Sequence, residues 1–189
     1  MRHDFRQSIA VIRNLVQTAN YDALSDYIKD YTDNIPHNDT TAYCSNVCVN
    51  ALLNYYSDIM SNNNIALNWR IELPGNLSIS DTELCGMLGN LLENVSDACS
   101  NVADSPRYHN MSVSIMHGDE LYIVSTNNFD GNTDFYDGIY HSTKADALSS
   151  SGQCGIGLAS IIATAQKYGG TARFRNTANE FFIDIMFKI

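Results

Sequence analysis

Apolar residues recur along the first thirty positions in alternating steps of four and three. Phe5, Ile9, Ile12, Val16, Ala19 and Ala23, continued by Leu24, Tyr27, Ile28 and Tyr31, trace one seam of the kind that pairs helices in coiled coils, and they predict a single long helix. Ile35-Pro36 ends it, because the residue before a proline is pushed out of the helical region; Asn38, Asp39 and Thr40 can cap a successor. The same spacing returns at Cys48, Leu52, Tyr55 and Ile59, so the first third reads as a helical hairpin. Two helices with one apolar seam each cannot close a core by themselves. The expectation is a homodimer that completes a four-helix bundle; the alternative is a hairpin folded back on its own globular domain.

Beyond Asn62-Asn63-Asn64 the helical period gives way to alternation. Ile65 to Leu73 reads as a strand and Pro74-Gly75-Asn76 as a turn, and the domain boundary is placed at the polar break, giving units 1–62 and 63–189. Ser80 and Glu83 have the spacing of a capping box ahead of a helix whose buried stripe is Leu84, Leu88, Leu91, Val95 and Ala98. Met111 to Met116 and Leu121 to Ser125 form two strands, and Asn127 to Ser151 is a polar segment too long to be a plain connection. Gly155 to Tyr168 is a helix stopped by Gly169-Gly170, and Phe181, Ile183, Ile185, Phe187 and Ile189 alternate in a final strand. The second unit is therefore an α+β sandwich with helices on one face of a mixed sheet.

A formal net charge of -10 repels a phosphate backbone and argues against nucleic acid as a partner, so an anionic nucleotide needs its own local site. The five cysteines lack zinc-site spacing and read as buried thiols of a reducing, cytoplasmic compartment. No stretch approaches the roughly 20 apolar residues of a membrane span.

Candidate chemistry gathers in the second unit. Asn90, Asn94 and Asp97 follow one another at four and three residues, along one stripe beside the buried face of their helix. A carboxamide oxygen is a hard ligand suited to Mg²⁺, which makes Asn94 a candidate; the alternative is an ordinary solvated helix face. Gly152-Gln153-Cys154-Gly155-Ile156-Gly157-Leu158 is a glycine-rich loop running into a helix, able to bring backbone N–H groups and the helix dipole to a phosphate. It matches neither a Walker loop nor a dinucleotide fingerprint, and a flexible linker with a glycine cap is the alternative. Between the two lies Ser125-Thr126-Asn127-Asn128-Phe129-Asp130-Gly131, where Asn127 or Asp130 can bond an adenine edge, and further on Lys144 can neutralise a phosphate. Either can equally be turn chemistry.

The order of these features resembles the Bergerat-type ATP-binding fold shared by gyrase, the heat-shock chaperone, histidine kinases and MutL, the GHKL superfamily. Leu88-Gly89-Asn90-Leu91-Leu92-Glu93-Asn94 is similar to that family's N-box, whose closing asparagine holds Mg²⁺, and Gly152 to Leu158 to its second glycine box. More closely, Arg2-His3-Asp4-Phe5-Arg6, the run from Cys85 to Asn90 and Lys167-Tyr168-Gly169-Gly170 resemble peptide-pheromone quorum-sensing kinases of Gram-positive bacteria over essentially the whole chain.

That resemblance implies a dimerisation and phosphotransfer hairpin over 1–62 and an ATP-binding catalytic domain over 63–189. ATP and Mg²⁺ are the implied cofactors, with Asn90, Asn94, Asn127, Lys144, Gly152, Gly155 and Gly157 around them. His3 is the implied phosphoacceptor, Asp4 its orienting carboxylate, and a response regulator the partner that takes the phosphate. Gln7, one turn beyond His3, is placed for a phosphatase role, and Asp130 to Ser151 for a lid. Where related kinases carry an aspartate for the adenine amino group this chain has Asn127, and Phe129 stands where a glycine is expected. His3 lies near the first residue, so the expectation is a piece of a longer membrane receptor. A non-catalytic nucleotide-binding scaffold and a serine kinase of the anti-sigma type are the alternative readings.

Overall fold

A computed structural model describes residues 2–32, 41–103, 106–132, 134–136, 139–141 and 156–189. The chain divides into two units, Met1–His37 and Asn38–Ile189, rather than at the polar break after residue 62.

The first unit holds two helices in place of one long one, α1 (Arg2–Gln17) and α2 (Tyr21–Thr32), packed against each other. Ala19 takes the left-handed conformation at φ 52°. Asn20 N then donates to Leu15 O and Ala19 N to Val16 O, both bonds of a Schellman cap. Asn20 also starts α2, its Oδ1 accepting from Ala23 N at 3.3 Å. The apolar periodicity runs through this turn unbroken, and the local capping bonds end the helix where hydrophobic spacing gives no signal. None of the described side chains of this unit is buried, and Ile9, Val16 and Ile28 are exposed.

The second expected hairpin helix, α3 (Val47–Asn62), belongs to the other unit, where it packs on a strand and a helix. Asn46, Asn50 and Asn54 explain this. Asn46 caps it, accepting from Val49 N at 2.9 Å, and the same amide donates to Asp81 Oδ1 at 2.8 Å. Asn50 Oδ1 accepts from Tyr43 N, and Asn54 exchanges bonds with Thr41, so residues 41–46 are laced onto α3.

A five-stranded sheet organises the second unit, in the order β1-β2-β3-β7-β6, with β1 (Ile65–Ile71) parallel to β2 (Arg107–Met116) and the other pairs antiparallel. The remaining strands are β3 (Glu120–Asn128), β6 (Thr171–Asn176) and β7 (Glu180–Lys188). Within the long polar segment 127–151, β4 (Asp134–Tyr136) and β5 (Ile139–His141) pair as a small separate sheet. Alternate residues of the large sheet, among them Met111, Val113, Leu121, Ile123, Ile183 and Ile185, are buried. Over that face lie α3 against β1, α4 (Asp81–Ser100) against β2 and β3, and α5 (Ile156–Lys167) against β6 and β7. This is the mixed α/β sandwich anticipated from the pattern.

The capping box does not form. Ser80 is the N-cap of α4 without a side-chain bond, and Glu83 turns instead to Lys167 Nζ at 2.5 Å and Tyr168 Oη at 2.8 Å, at the end of α5. Of the described cysteines only Cys99 is fully buried; Cys44 and Cys85 are half-buried, and Cys48 is exposed.

Asn46 is 1% exposed and serves a cap and a contact between elements at once. Asn46→Ala should lower the unfolding free energy by about 2 kcal/mol, read from urea denaturation of the full chain.

Candidate functional site

The face of α4 turned towards α5 is Glu83, Met87, Asn90 and Asn94, which fall within a narrow arc at helical spacing. Glu83 meets the last turn of α5 and Asn94 meets its first, so the two helices run antiparallel with a contact at each end. At the second of these contacts a Cβ on Gly157 would fall 2.9 Å from Asn94 Nδ2 and 3.3 Å from its Oδ1. A glycine there lets the backbone of the first helical turn approach the carboxamide.

Asn94 Nδ2 is fully buried and has no hydrogen-bond partner among the described residues. A buried, unpaired amide costs about 1–3 kcal/mol, a cost that a ligand can recover. It lies beside a helix N-terminus, whose free N–H groups and dipole favour an anion. The protein thus leaves an amide N–H unpaired next to a phosphate-compatible backbone, where it can donate to a phosphate oxygen, while Oδ1 of the same side chain is the kind of hard ligand Mg²⁺ takes, so these residues fit a Mg²⁺–phosphate group. Asn90, one turn earlier, is half-buried on the same arc. Asp97, one turn beyond, acts electrostatically on Tyr56 of α3, whose pKa is raised, first by burial, then by Glu93, Tyr55 and Asp97.

Asn127 ends the inward-facing row of β3, 1% exposed, with Nδ2 donating to Asn128 O at 2.9 Å. Asp130 accepts from both the backbone and side chain of Asn132 and is an exposed turn residue. Phe129 is buried edge-to-face on Phe181, with centroids 6.1 Å apart, and so belongs to the core. Lys144, Gly152 and Gly155 lie outside the described residues, as does most of the expected lid. His3 and Asp4 fall in the first turn of α1, with side chains outside the described ones.

Two features of the unit carry no sequence motif. One is the Glu83–Lys167–Tyr168 contact, joining residues remote in sequence. The other is a buried chain in which Trp69 Nε1 donates to His109 Nδ1 at 3.0 Å and His109 Nε2 lies 2.9 Å from Ser125 Oγ. The signal available for the second was polar residues at inward-facing strand positions. A separate cleft of about 350 Å³ near Tyr108, Phe129 and Glu180 includes none of Asn90, Asn94, Asn127 or Gly157.

Residues 79–188 match the model of the GHKL domain, more than half of the chain, including Asn90, Asn94, Asn127 and Gly157. The chain belongs to the GHKL family. Solved structures with the same fold include the histidine kinase AdeS of Acinetobacter baumannii, 12% identical, TM-score 0.53, covering 98% of this chain and 97% of that one. The catalytic domain of histidine kinase ThkA is 14% identical with TM-score 0.56, covering 76% and 92%. The mycobacterial sensor histidine kinase MprB is 16% identical with TM-score 0.51, covering 75% and 93%. At these identities the likeness is one of fold, that of histidine-kinase ATP-binding domains. No curated protein matches. Among the described residues no helix is long and apolar enough to cross a membrane.

Gly157→Ala separates folding from binding. The added methyl meets only the end of a side chain and improves helix propensity by up to about 1 kcal/mol, so the thermal midpoint should hold or rise. The Asn94 amide must move, and Mg-ATP affinity measured by calorimetry should fall about tenfold.

Proposed function

We propose that the chain is the cytoplasmic catalytic core of a sensor histidine kinase, which phosphorylates His3 from ATP and passes the phosphate to an aspartate of a response regulator. The observation that carries this reading is the unpaired Asn94 amide against the first turn of α5. In this reading Asn94 holds Mg²⁺, Asn90 supports the phosphates or the metal's waters, and Gly152, Gly155 and Gly157 bring backbone N–H groups to the phosphates. Lys144 adds countercharge and Asn127 meets the adenine. Bound Mg²⁺ supplies neutralisation of the phosphate charge.

Phosphoryl transfer asks mainly for position and charge balance. The neutral imidazole of His3 attacks the γ-phosphorus; a nitrogen–phosphorus bond forms as the bond to the bridging oxygen breaks and ADP leaves. Asp4 orients the ring and takes up the charge that develops on it. Gln7, one turn on, positions water for the reverse removal of phosphate from the regulator.

A helical unit whose described side chains include no buried residue fits a homodimer, in which a second copy covers Ile9, Val16 and Ile28 in a four-helix bundle. The response regulator then docks on the same helices near His3. Phosphotransfer accordingly belongs to residues 1–37 and ATP binding to the remainder, with α3 on the ATP-binding side.

Incubation with γ-labelled ATP and Mg²⁺ tests the reading. Wild type should take an acid-labile label, absent from His3→Gln and reduced at least about a hundredfold in Asn94→Ala. Acid-stable label would point to a serine kinase. Nucleotide binding with no label would point to a scaffold.

A further inference from the structure

The cleft of about 350 Å³ apart from the α4–α5 site opens where β2 begins, β3 ends and β7 begins. Its volume falls within the range of about 300–1,000 Å³ usual for small-molecule sites. Val102, Pro106 and Phe129 line it with apolar surface, and Tyr108, Asn179 and Glu180 with polar groups. Tyr108 and Glu180 alternate with His109 and Phe181, which pack inward, so both belong to the face of the sheet turned away from the helices.

The walls are held by hydrogen bonds of their own. Phe129 N donates to Asn179 O at 3.1 Å, Thr177 N to Glu180 O at 2.9 Å and Glu180 N to Thr177 Oγ1 at 3.1 Å, which closes the turn before β7 onto the end of β3. Asn128, in register with Glu180, uses its amide within the wall: Oδ1 accepts from Tyr108 N and Nδ2 donates to Pro106 O. Tyr108 Oη reaches past Asn128 to donate to Glu180 Oε1. Burial, and then this bond, push the Tyr108 pKa up to about 12, so the phenol stays a donor through the physiological range. Glu180 is the one charged side chain among the described lining residues, and its second oxygen, Oε2, meets no donor or cation among them. Arg107, beside Tyr108 in sequence, commits its guanidinium to the carbonyls of Ser100, Val102 and Asn63.

We propose that this cleft is a second binding site, for a small organic cation made of an ammonium group on an apolar body. The ammonium donates to Glu180 Oε2, a charge-assisted bond, while the apolar body covers Val102, Pro106 and Phe129. Tyr108 acts as a positioning residue: by holding one carboxylate oxygen it fixes the side chain in advance, so little freedom is lost when the cation binds. The net charge of -10 draws cations towards the unit as a whole, and the cleft adds the place where one is held. The same carboxylate repels a phosphate, which sets this cleft apart from the site at Asn94 and Gly157. The proposal needs the fold alone and stands or falls independently of the kinase reading.

The test is an NMR titration of the isotope-labelled full chain with phenethylamine, and with phenethyl alcohol as a neutral compound of nearly the same shape. The amine should shift the backbone amides of Tyr108, Phe129 and Glu180 saturably, with an affinity about tenfold or more above that of the alcohol. Glu180→Gln removes the charge, yet its side-chain oxygen can still accept from Tyr108, so the wall persists and the amine should fall to the level of the alcohol. Saturating Mg-ATP should leave the amine affinity unchanged. Wild type that binds amine and alcohol equally overturns the proposal without recourse to any variant, as does the absence of a saturable shift at millimolar amine, or shifts confined to other amides. A Glu180→Gln chain that keeps the preference for the amine overturns it too. Displacement of the amine by Mg-ATP would make the cleft part of the nucleotide site and overturn it while leaving the kinase reading standing.

Discussion

The antiparallel contact between α4 and α5 is the constraint on which the site depends. At one end Lys167 and Tyr168 hold Glu83; at the other, about 16 Å along α4 and about 15 Å along α5, the first turn of α5 closes on Asn94. The matched lengths mean that fixing one end sets the register of the other. Burial and the two bonds to Glu83 and Lys167 oppose each other in part. Glu83 is nevertheless held below the usual carboxylate range, chiefly by its bonds to Lys167 and Tyr168, and Lys167 is raised by the same pairing. Lys167 is largely solvated and Glu83 partly so, and the contact acts as a geometric stop more than as a store of stability. Gly170 completes it. A Cβ there would fall 1.9 Å from Met186 O, so the chain leaving α5 can drop directly onto β7 only because that position has no side chain.

Around this pair the rest of the second unit supplies a rigid floor and a flank. The floor is the sheet, with apolar rows under α4 and a buried polar triplet, His109, Ser125 and Asn127, at one end of β2 and β3. The flank is α3, whose Leu52 lies beside Gly89 of α4 and whose cap Asn46 ties it to Asp81 at the start of α4. Arg107 bonds Val102 O, Ser100 O and Asn63 O, placing a cation at the C-terminal end of α4 and joining it to the end of α3. A helix that reads in sequence as half of a hairpin is thus part of the wall of the ATP-binding unit.

Most of the sandwich was legible because alternation and the helical period report burial directly: β7 and the buried stripe of α4 follow from their own residues. What periodicity cannot report is where local bonds override it. The seam from Phe5 to Tyr31 is continuous, yet Ala19 and Asn20 break it with backbone caps, and Asn46, Asn50 and Asn54 tie α3 to residues 41–44 and to α4 by hydrogen bonds no apolar pattern encodes. Ser80 and Glu83 have capping-box spacing, but a lysine and a tyrosine more than eighty residues away compete for the glutamate and win. In the site, Asn94 and Gly157 were each visible as motif residues, whereas their contact is a tertiary fact. The relay through His109 was hidden because its members come from three strands.

The account stands on Asn94 as the residue that couples nucleotide to metal. Calorimetric titration of wild type and Asn94→Ala with ATP, in the presence and absence of Mg²⁺, addresses this most directly. Wild type should bind more tightly with the metal, by about tenfold or more, while Asn94→Ala should bind with the same affinity under both conditions. An Asn94→Ala chain that keeps the full Mg²⁺ dependence would contradict the assignment, because the metal would then be held by other residues.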